Sequence, residues 1–409
     1  MQNFLYGVDF GTSNSALSIL DLQSHQIIKT FILPSVLYFP KGEKRVLVGN
    51  EAVESYVGDG MKGRFIKSIK RVLSNKSFQH TLINGVRYDL SDLVSLILKK
   101  LKAQADEFVG TNVDQVILGR PVFFDDDDQD RDTLAQKRLE IAAKQAGFQK
   151  IHFQLEPIAA AFAYEKTLSS PQKVLVADLG GGTTDFTLIS LDPAKHDQLD
   201  RRQDIISTGG IYLGGDAFDS AFMWEKGTPH FGRGVKYSTR PEQWLDLPLS
   251  LFLNITTWEK MIFFNSTKVL QDLKRYYFQS KNHPKLKNLI DLIEGNLGYS
   301  IFREIERVKV DLSQNTSTTF DFEPSGIKEP IRSSEYDEII SEDLQKIQNY
   351  LNQFIGDHHV DSVFLTGGTS LVPAVQRMFK EKFGEVQSGD NFISVTQGLA
   401  YSHYLLHIE

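Results

Sequence analysis

The sequence predicts an α/β protein of two related lobes, each with a sheet and helix core, and three observations carry that expectation. The run Val8-Asp9-Phe10-Gly11-Thr12, followed by the strand Ala16 to Leu20, has a counterpart in Ala177-Asp178-Leu179-Gly180 to Thr183, followed by the strand Phe186 to Leu191. Each copy reads as strand, Gly/Thr turn, strand. A third turn, Gly367-Gly368-Thr369-Ser370, follows an apolar strand at Val363 to Leu365 and opens into a helix from Pro373. Such an internal repeat marks two halves of common design. Their boundary is placed near Ser170 and Pro171, which gives a first lobe over 1–171 and a second over 172–409.

Along the first lobe, the region from about 30 to 110 reads as an inserted subdomain. Gln115 to Leu118 is a short buried strand ending in Gly119-Arg120-Pro121. From Asp132, the residues Ala135, Leu139, Ala142, Ala143 and Ala146 recur at helical spacing, and Gly147 supplies the stop. A second helix opens at Glu156-Pro157, with proline in the first turn, and runs to Glu165. In the second lobe, Met223 to Lys285 is the least regular stretch and holds Trp224, Trp244 and Trp258, which read as core residues of a subdomain inserted over about 223–310. Ile301, Ile305, Val308 and Leu312 define a helix whose adjacent face carries Glu306, Lys309 and Ser313. One long amphipathic helix is expected over Tyr336 to Phe354.

Composition narrows the function. Hydrophobic residues make up 41% and charged residues 24% of the 409 positions, and the net charge of -7 offers no basic footprint for nucleic acid. With no cysteine, disulfides, thiolate metal sites and a cysteine nucleophile are excluded. No run approaches the roughly 18–20 apolar residues that span a bilayer, and Met1 to Ser15 lacks the basic start of a signal peptide. The expectation is a cytoplasmic monomer with no membrane association and an unidentified protein partner. The run Asp125 to Asp128 reads as a solvated turn, and His358-His359 lacks the pattern of a metal site. Arg64, Lys67, Lys70 and Arg71 form a basic cluster that fits either a solvated helix face or a functional group.

The repeated turns suit a phosphate chain. Glycines let consecutive backbone N–H groups converge on an anion, and Ser/Thr hydroxyls add donors without charge. Asp9 and Asp178, at the strand ends before the turns, are placed to hold a hydrated Mg²⁺, an ion that takes oxygen ligands and keeps several waters. Asp185 closes the second turn and is a further candidate.

Asp9-Phe10-Gly11-Thr12-Ser13-Asn14-Ser15, Asp178 to Asp185 and Leu365-Thr366-Gly367-Gly368 resemble the phosphate-1, phosphate-2 and adenosine motifs of the DnaK-type heat-shock chaperones. Leu155 to Ala161 resembles their connecting motif, and Leu213 to Asp219 resembles the segment after the second hairpin. Leu118 to Pro121, the acidic insert after it and Phe153 to Pro157 are similar to the short YegD-like branch. The resemblance covers nearly the whole chain. It implies an actin-like ATPase fold with the nucleotide between the lobes, and ATP or ADP with Mg²⁺ as cofactors. It implies that Asp9 and Asp178 hold the Mg²⁺ hydration shell, with Gly11, Thr12, Ser13, Asn14, Gly180, Gly181, Gly182, Thr183 and Thr184 at the phosphates. Lys70 would neutralise the γ-phosphate and orient the attacking water, which Glu156 and Asp185 would position. Gly214, Gly215 and Asp216 would be further nucleotide contacts, Glu306, Lys309 and Ser313 would meet adenosine, and Gly367, Gly368 and Thr369 would pass beneath it. Pro121 matches the proline that couples nucleotide state to lobe movement.

The implied function is slow ATP hydrolysis by a chaperone-like conformational switch that exposes a partner surface in the region 223–285. The sequence ends at Glu409 soon after the third turn, so the resemblance implies the ATPase portion without a following peptide-binding domain. Leu371 stands where the family's adenosine motif has arginine, and Phe392 to Gly398 lacks its acidic residue. Two alternatives stay open: a small-molecule kinase of the same superfold, and an actin-like filament or structural nucleotide binder.

Overall fold

The computed structural model describes residues 3–60, 62–125, 128–165, 167–195, 202–257, 260–261, 267–388 and 393–403, so Asp126, Asp127, Trp258 and Phe392 lie outside the described residues. The chain divides into two compact units, one of residues 1–214, 347–371 and 375–409, the other of 215–346 and 372–374. Among the described residues no helix is long and apolar enough to cross a membrane.

The first unit begins with an antiparallel meander of β1 (Phe4–Phe10), β2 (Asn14–Asp21) and β3 (Gln26–Pro34). An inserted segment supplies a three-stranded sheet of β4 (Leu37–Phe39), β5 (Leu47–Val48) and β6 (Arg64–Ile66), a small hairpin of β7 (Thr81–Ile83) and β8 (Val86–Tyr88), and the helix Leu90–Val109. Asp89 and Asp92 cap that helix reciprocally at its start. The chain then returns to add β9 (Gln115–Arg120) parallel to β1, and after the helix Gln129–Ala146 it adds β10 (Lys150–Leu155) parallel to β9.

The second sheet repeats this plan. The meander β11 (Gln172–Leu179), β12 (Thr184–Leu191) and β13 (Ile205–Ile211) is antiparallel. The second unit then contributes the hairpins β14 (Lys236–Arg240) with β15 (Gln243–Asp246) and β16 (Ser317–Phe322) with β17 (Ile327–Arg332). Parallel strands β18 (Ser362–Thr366) and β19 (Gln387–Ser388) complete the second sheet. The strand orders are β10-β9-β1-β2-β3 and β13-β12-β11-β18-β19, so β11 takes the central place that β1 holds in its own sheet. The repeat in the sequence is thus a repeat of topology. The expected α/β class, with an actin-like duplicated core, holds.

Strands covered on both faces are buried almost without interruption, and β1, β2, β11 and β12 are, with Ser15, Ser18, Thr184 and Thr187 among the buried residues of β2 and β12. One face of the first sheet, through Val8, Phe10, Leu17 and Ile19, packs on Leu93, Ile97 and Leu139 of the helices Leu90–Val109 and Gln129–Ala146. Its other face shares a core with the helices Glu156–Glu165 and Ser394–Tyr401 and with Val174, Val176 and Phe364 of the second sheet. These two helices touch at Gly398, where a Cβ would lie 1.7 Å from the Ala159 carbonyl oxygen. Only glycine permits that approach.

Three local expectations change. The helix expected over Tyr336 to Phe354 is two helices, Ser333–Ile339 and Ser341–Ile355. The Ser341 hydroxyl at the break donates to the Glu338 carbonyl at 2.7 Å, a local bond of the kind that competes with regular helix. The acidic run ends in a helix N-cap, since Asp128 accepts the amides of Asp130 and Arg131 and also pairs with Lys76 at 2.9 Å. Trp224 is half-buried beneath Arg233, and Trp244 is 43% exposed with Lys281 over its ring, so neither is a core residue.

Candidate functional site

The hairpin register places the acidic residues. Asp9 stands near the end of β1, opposite Ala16, and the turn of Gly11, Thr12 and Ser13 leads to Asn14 at the start of β2. The Ser13 carbonyl accepts the Ser35 amide at 2.8 Å, and the Ser15 and Ser35 hydroxyls meet at 2.7 Å, which fixes the turn from below. In the second hairpin Asp178 lies directly opposite Asp185, and the turn closes with the Gly180 amide donating to the Thr183 carbonyl at 2.9 Å. The Thr183 hydroxyl donates to Asp185 Oδ2 at 2.9 Å. Buried Thr184 and Thr369 spend their hydroxyls on the carbonyls of Leu213 and Gly180, at 2.7 and 2.8 Å. Gly214 abuts the carbonyls of Gly180 and Gly181.

Lys70 is not on a solvated helix face. It sits in the 3-10 turn Ile69–Val72, entered through Ser68 with a positive φ of 61°. Its ammonium donates to Glu156 Oε1 at 2.7 Å and lies 4.0 Å from Asp9 Oδ1, and its side chain is only 12% accessible. Glu156 is the first residue of the helix Glu156–Glu165, directly after β10. Burial opposes the charge on Lys70, but Glu156, Asp9 and Asp178 outweigh it and hold its pKa above the usual value.

The carboxylates outnumber the cation. Burial, together with Glu156 and Asp185, pushes Asp178 up to about 7 against the pull of Lys70. Burial and the charges of Glu156 and Asp178 raise Asp9 in the same direction, again against Lys70. Asp9 Oδ1 is buried without a hydrogen-bond partner. An orphaned carboxylate oxygen beside acidic groups suits a hydrated divalent cation. Among the described residues no three acidic or imidazole groups converge as direct ligands of one ion. The buried carboxylates of Asp9 and Asp178 fit Mg²⁺, which is commonly held through one or two carboxylates and its own waters.

The third turn closes on the same place. Gly367 has a φ of +80°, and a Cβ there would lie 2.6 Å from Asp178 Oδ1 and 2.3 Å from the Leu179 carbonyl oxygen. Gly368 is exposed beside it, and Leu371 is 41% exposed. The strand-end proline is also fixed: Pro121 is buried, and Arg120 Nη2 donates to both oxygens of Asp132 at 2.8 Å.

Gly215, Asp216, Glu306, Lys309 and Ser313 belong to the second unit. There Gly215 and Asp216 open the helix Gly215–Phe222, and Glu306 is exposed on the helix Gly298–Gln314. Ser313 donates to the Val310 carbonyl at 2.6 Å. Lys309 donates to both oxygens of Asp219, at 2.7 and 2.9 Å. Burial raises Asp219 and Lys309 opposes it. In the sequence Asp219 stands out only as the end of the segment Leu213 to Asp219. The signal was its one-turn offset from Asp216 and Gly215 on the same helix face.

A duplicated sheet, two Asp-bearing hairpins, a buried Lys–Glu pair and a glycine turn at a third strand end define the class of actin-like α/β folds. The Hsp70 protein family matches residues 5–226, more than half of the chain, and the chain belongs to that family. It is similar to the chaperone protein DnaK of Mycoplasmopsis agalactiae, with 25% identity over 394 residues that cover 91% of this chain and 54% of the relative. The chain therefore spans about half the length of that protein.

Proposed function

We propose that this chain binds Mg-ATP at its two hairpin turns and hydrolyses it slowly, as a nucleotide-dependent switch whose two states offer different surfaces to a protein partner. The observation that carries this reading is the buried Lys70 ammonium, 2.7 Å from Glu156 and 4.0 Å from Asp9, in a site where burial and neighbouring acids raise Asp9 and Asp178. Mg²⁺ would neutralise phosphate charge, and Asp9 and Asp178 are the residues suited to hold its waters. The amides of the two turns face the phosphates in this reading, while Lys70 balances charge on the γ-phosphate. Glu156 and Asp185 orient a water. As the water oxygen bonds to the γ-phosphorus, the bond to the bridging oxygen breaks, ADP leaves with that electron pair, and the water proton passes to phosphate or a neighbouring carboxylate. Positioning and charge neutralisation supply most of the rate in such chemistry, and modest turnover is expected.

Phosphate release from the wild type, Lys70→Ala and Asp178→Asn provides the test. Both variants should lose most of the wild-type rate, by about 100-fold or more, in line with the loss of an electrostatic transition-state contact. Equal rates in all three would remove the assignment.

A further inference from the structure

Two side chains outside the phosphate and adenosine motifs join the lysine turn to the second hairpin. Tyr212 directly follows β13, and its hydroxyl donates to the carbonyl of Arg71, the residue after Lys70, at 3.0 Å. The Arg71 guanidinium carbon lies 5.8 Å from the centre of the Tyr212 ring, within cation–π reach. The stem of Arg71 rests on the second turn, where a Cβ on Gly182 would sit 3.3 Å from Arg71 Cγ and 3.4 Å from Cδ. The β12–β13 ladder that leads to Tyr212 also pairs Asp185 with Gly210. One closed circuit thus links the turn holding Lys70, the turn holding Gly182 and the strand holding Asp185.

We infer that Arg71 and Tyr212 are positioning residues, a latch that keeps the Lys70 turn seated against the second phosphate turn during ATP hydrolysis. The inference rests on the ATPase reading above. Tyr212 is 42% exposed, so water competes for its hydrogen bond. Each contact is therefore weak enough to break and re-form. The latch acts on the geometry of Lys70 rather than on the nucleotide itself, and its loss slows the chemical step more than it weakens binding.

Tyr212→Phe deletes the hydroxyl and keeps the ring. It should slow single-turnover hydrolysis by about three- to tenfold, the worth of one hydrogen bond, and leave the Kd for Mg-ATP within about twofold. Arg71→Ala should slow the step similarly, and the double variant should be no slower than about the worse single one, because both remove one device. A second measurement needs no nucleotide. The amides of Arg71 and Leu73 donate to the Ser68 and Lys70 carbonyls, and their hydrogen exchange in the ligand-free protein should quicken by about three- to tenfold in Tyr212→Phe. Unchanged exchange overturns the latch whether or not ATP is hydrolysed. Faster exchange with unchanged turnover, or a Kd that weakens in step with the rate, overturns its positioning role. Failure of the ATPase reading looks different: wild type, Lys70→Ala and Asp178→Asn then release phosphate equally.

Discussion

Asp178 illustrates how much of the site lies in individual side chains. Its carboxyl moves from 3.8 to about 7, so the folded protein keeps a proton that the unfolded chain gives up in between. Stability of the ligand-free protein should therefore fall as pH rises from about 4 to about 7, and Asp9 adds to the fall in the same direction. Urea denaturation across that window should show the slope, and Asp178→Asn should flatten it. Lys70→Met should destabilise the ligand-free protein by about 3 kcal/mol, because Glu156 is then left buried without its cation. Equilibrium unfolding measures this directly. The two hairpins and the strand-end position of their acids were legible in the sequence because the same strand, turn and strand pattern recurs, with Asp9 and Asp178 in matching places. The burial of Lys70 was not: its partner Glu156 is 86 positions away, and the cluster of Arg64, Lys67, Lys70 and Arg71 to which it belongs looks solvated on local grounds.

Among elements, those with a strong period were readable. The helices Gln129–Ala146, Glu156–Glu165 and Gly298–Gln314 follow from apolar spacing and their start or stop residues. Strands as short as Leu47–Val48 have no period to read, and the break at Ile340 depends on side-chain bonding around Ser341. The helix Ser394–Tyr401 was seen only as a closing segment, yet it packs on the first sheet. Its contact with the helix Glu156–Glu165 has no room for a methyl group. Gly398→Ala should cost about 2–3 kcal/mol, since the Ala159 backbone cannot yield as a flexible side chain would. A lowered denaturation midpoint with an unchanged denaturant slope would mark this as strain at one contact.

For the whole molecule, the repeat revealed two sheets of one plan, but not the grouping of the chain into compact units. Both sheets fall in the first unit because Ile158, Phe162 and Leu399 share one core with strands of each. Such shared burial is a three-dimensional property with no local pattern. Saturating Mg-ATP should stabilise the folded state by about 2.7 kcal/mol at a ligand concentration 100 times Kd, and chelating the metal should remove most of the gain in a thermal-shift measurement. The hydroxyl of Thr396 donates to the carbonyl of Gly7 at 2.8 Å, across 389 positions of chain. During synthesis at about 5–20 residues per second, Gly7 waits about 20–80 seconds for that partner to emerge from the ribosome. Until then one apolar face of the first sheet lacks its final cover. The core on that face is thus completed only after residue 396 has been made.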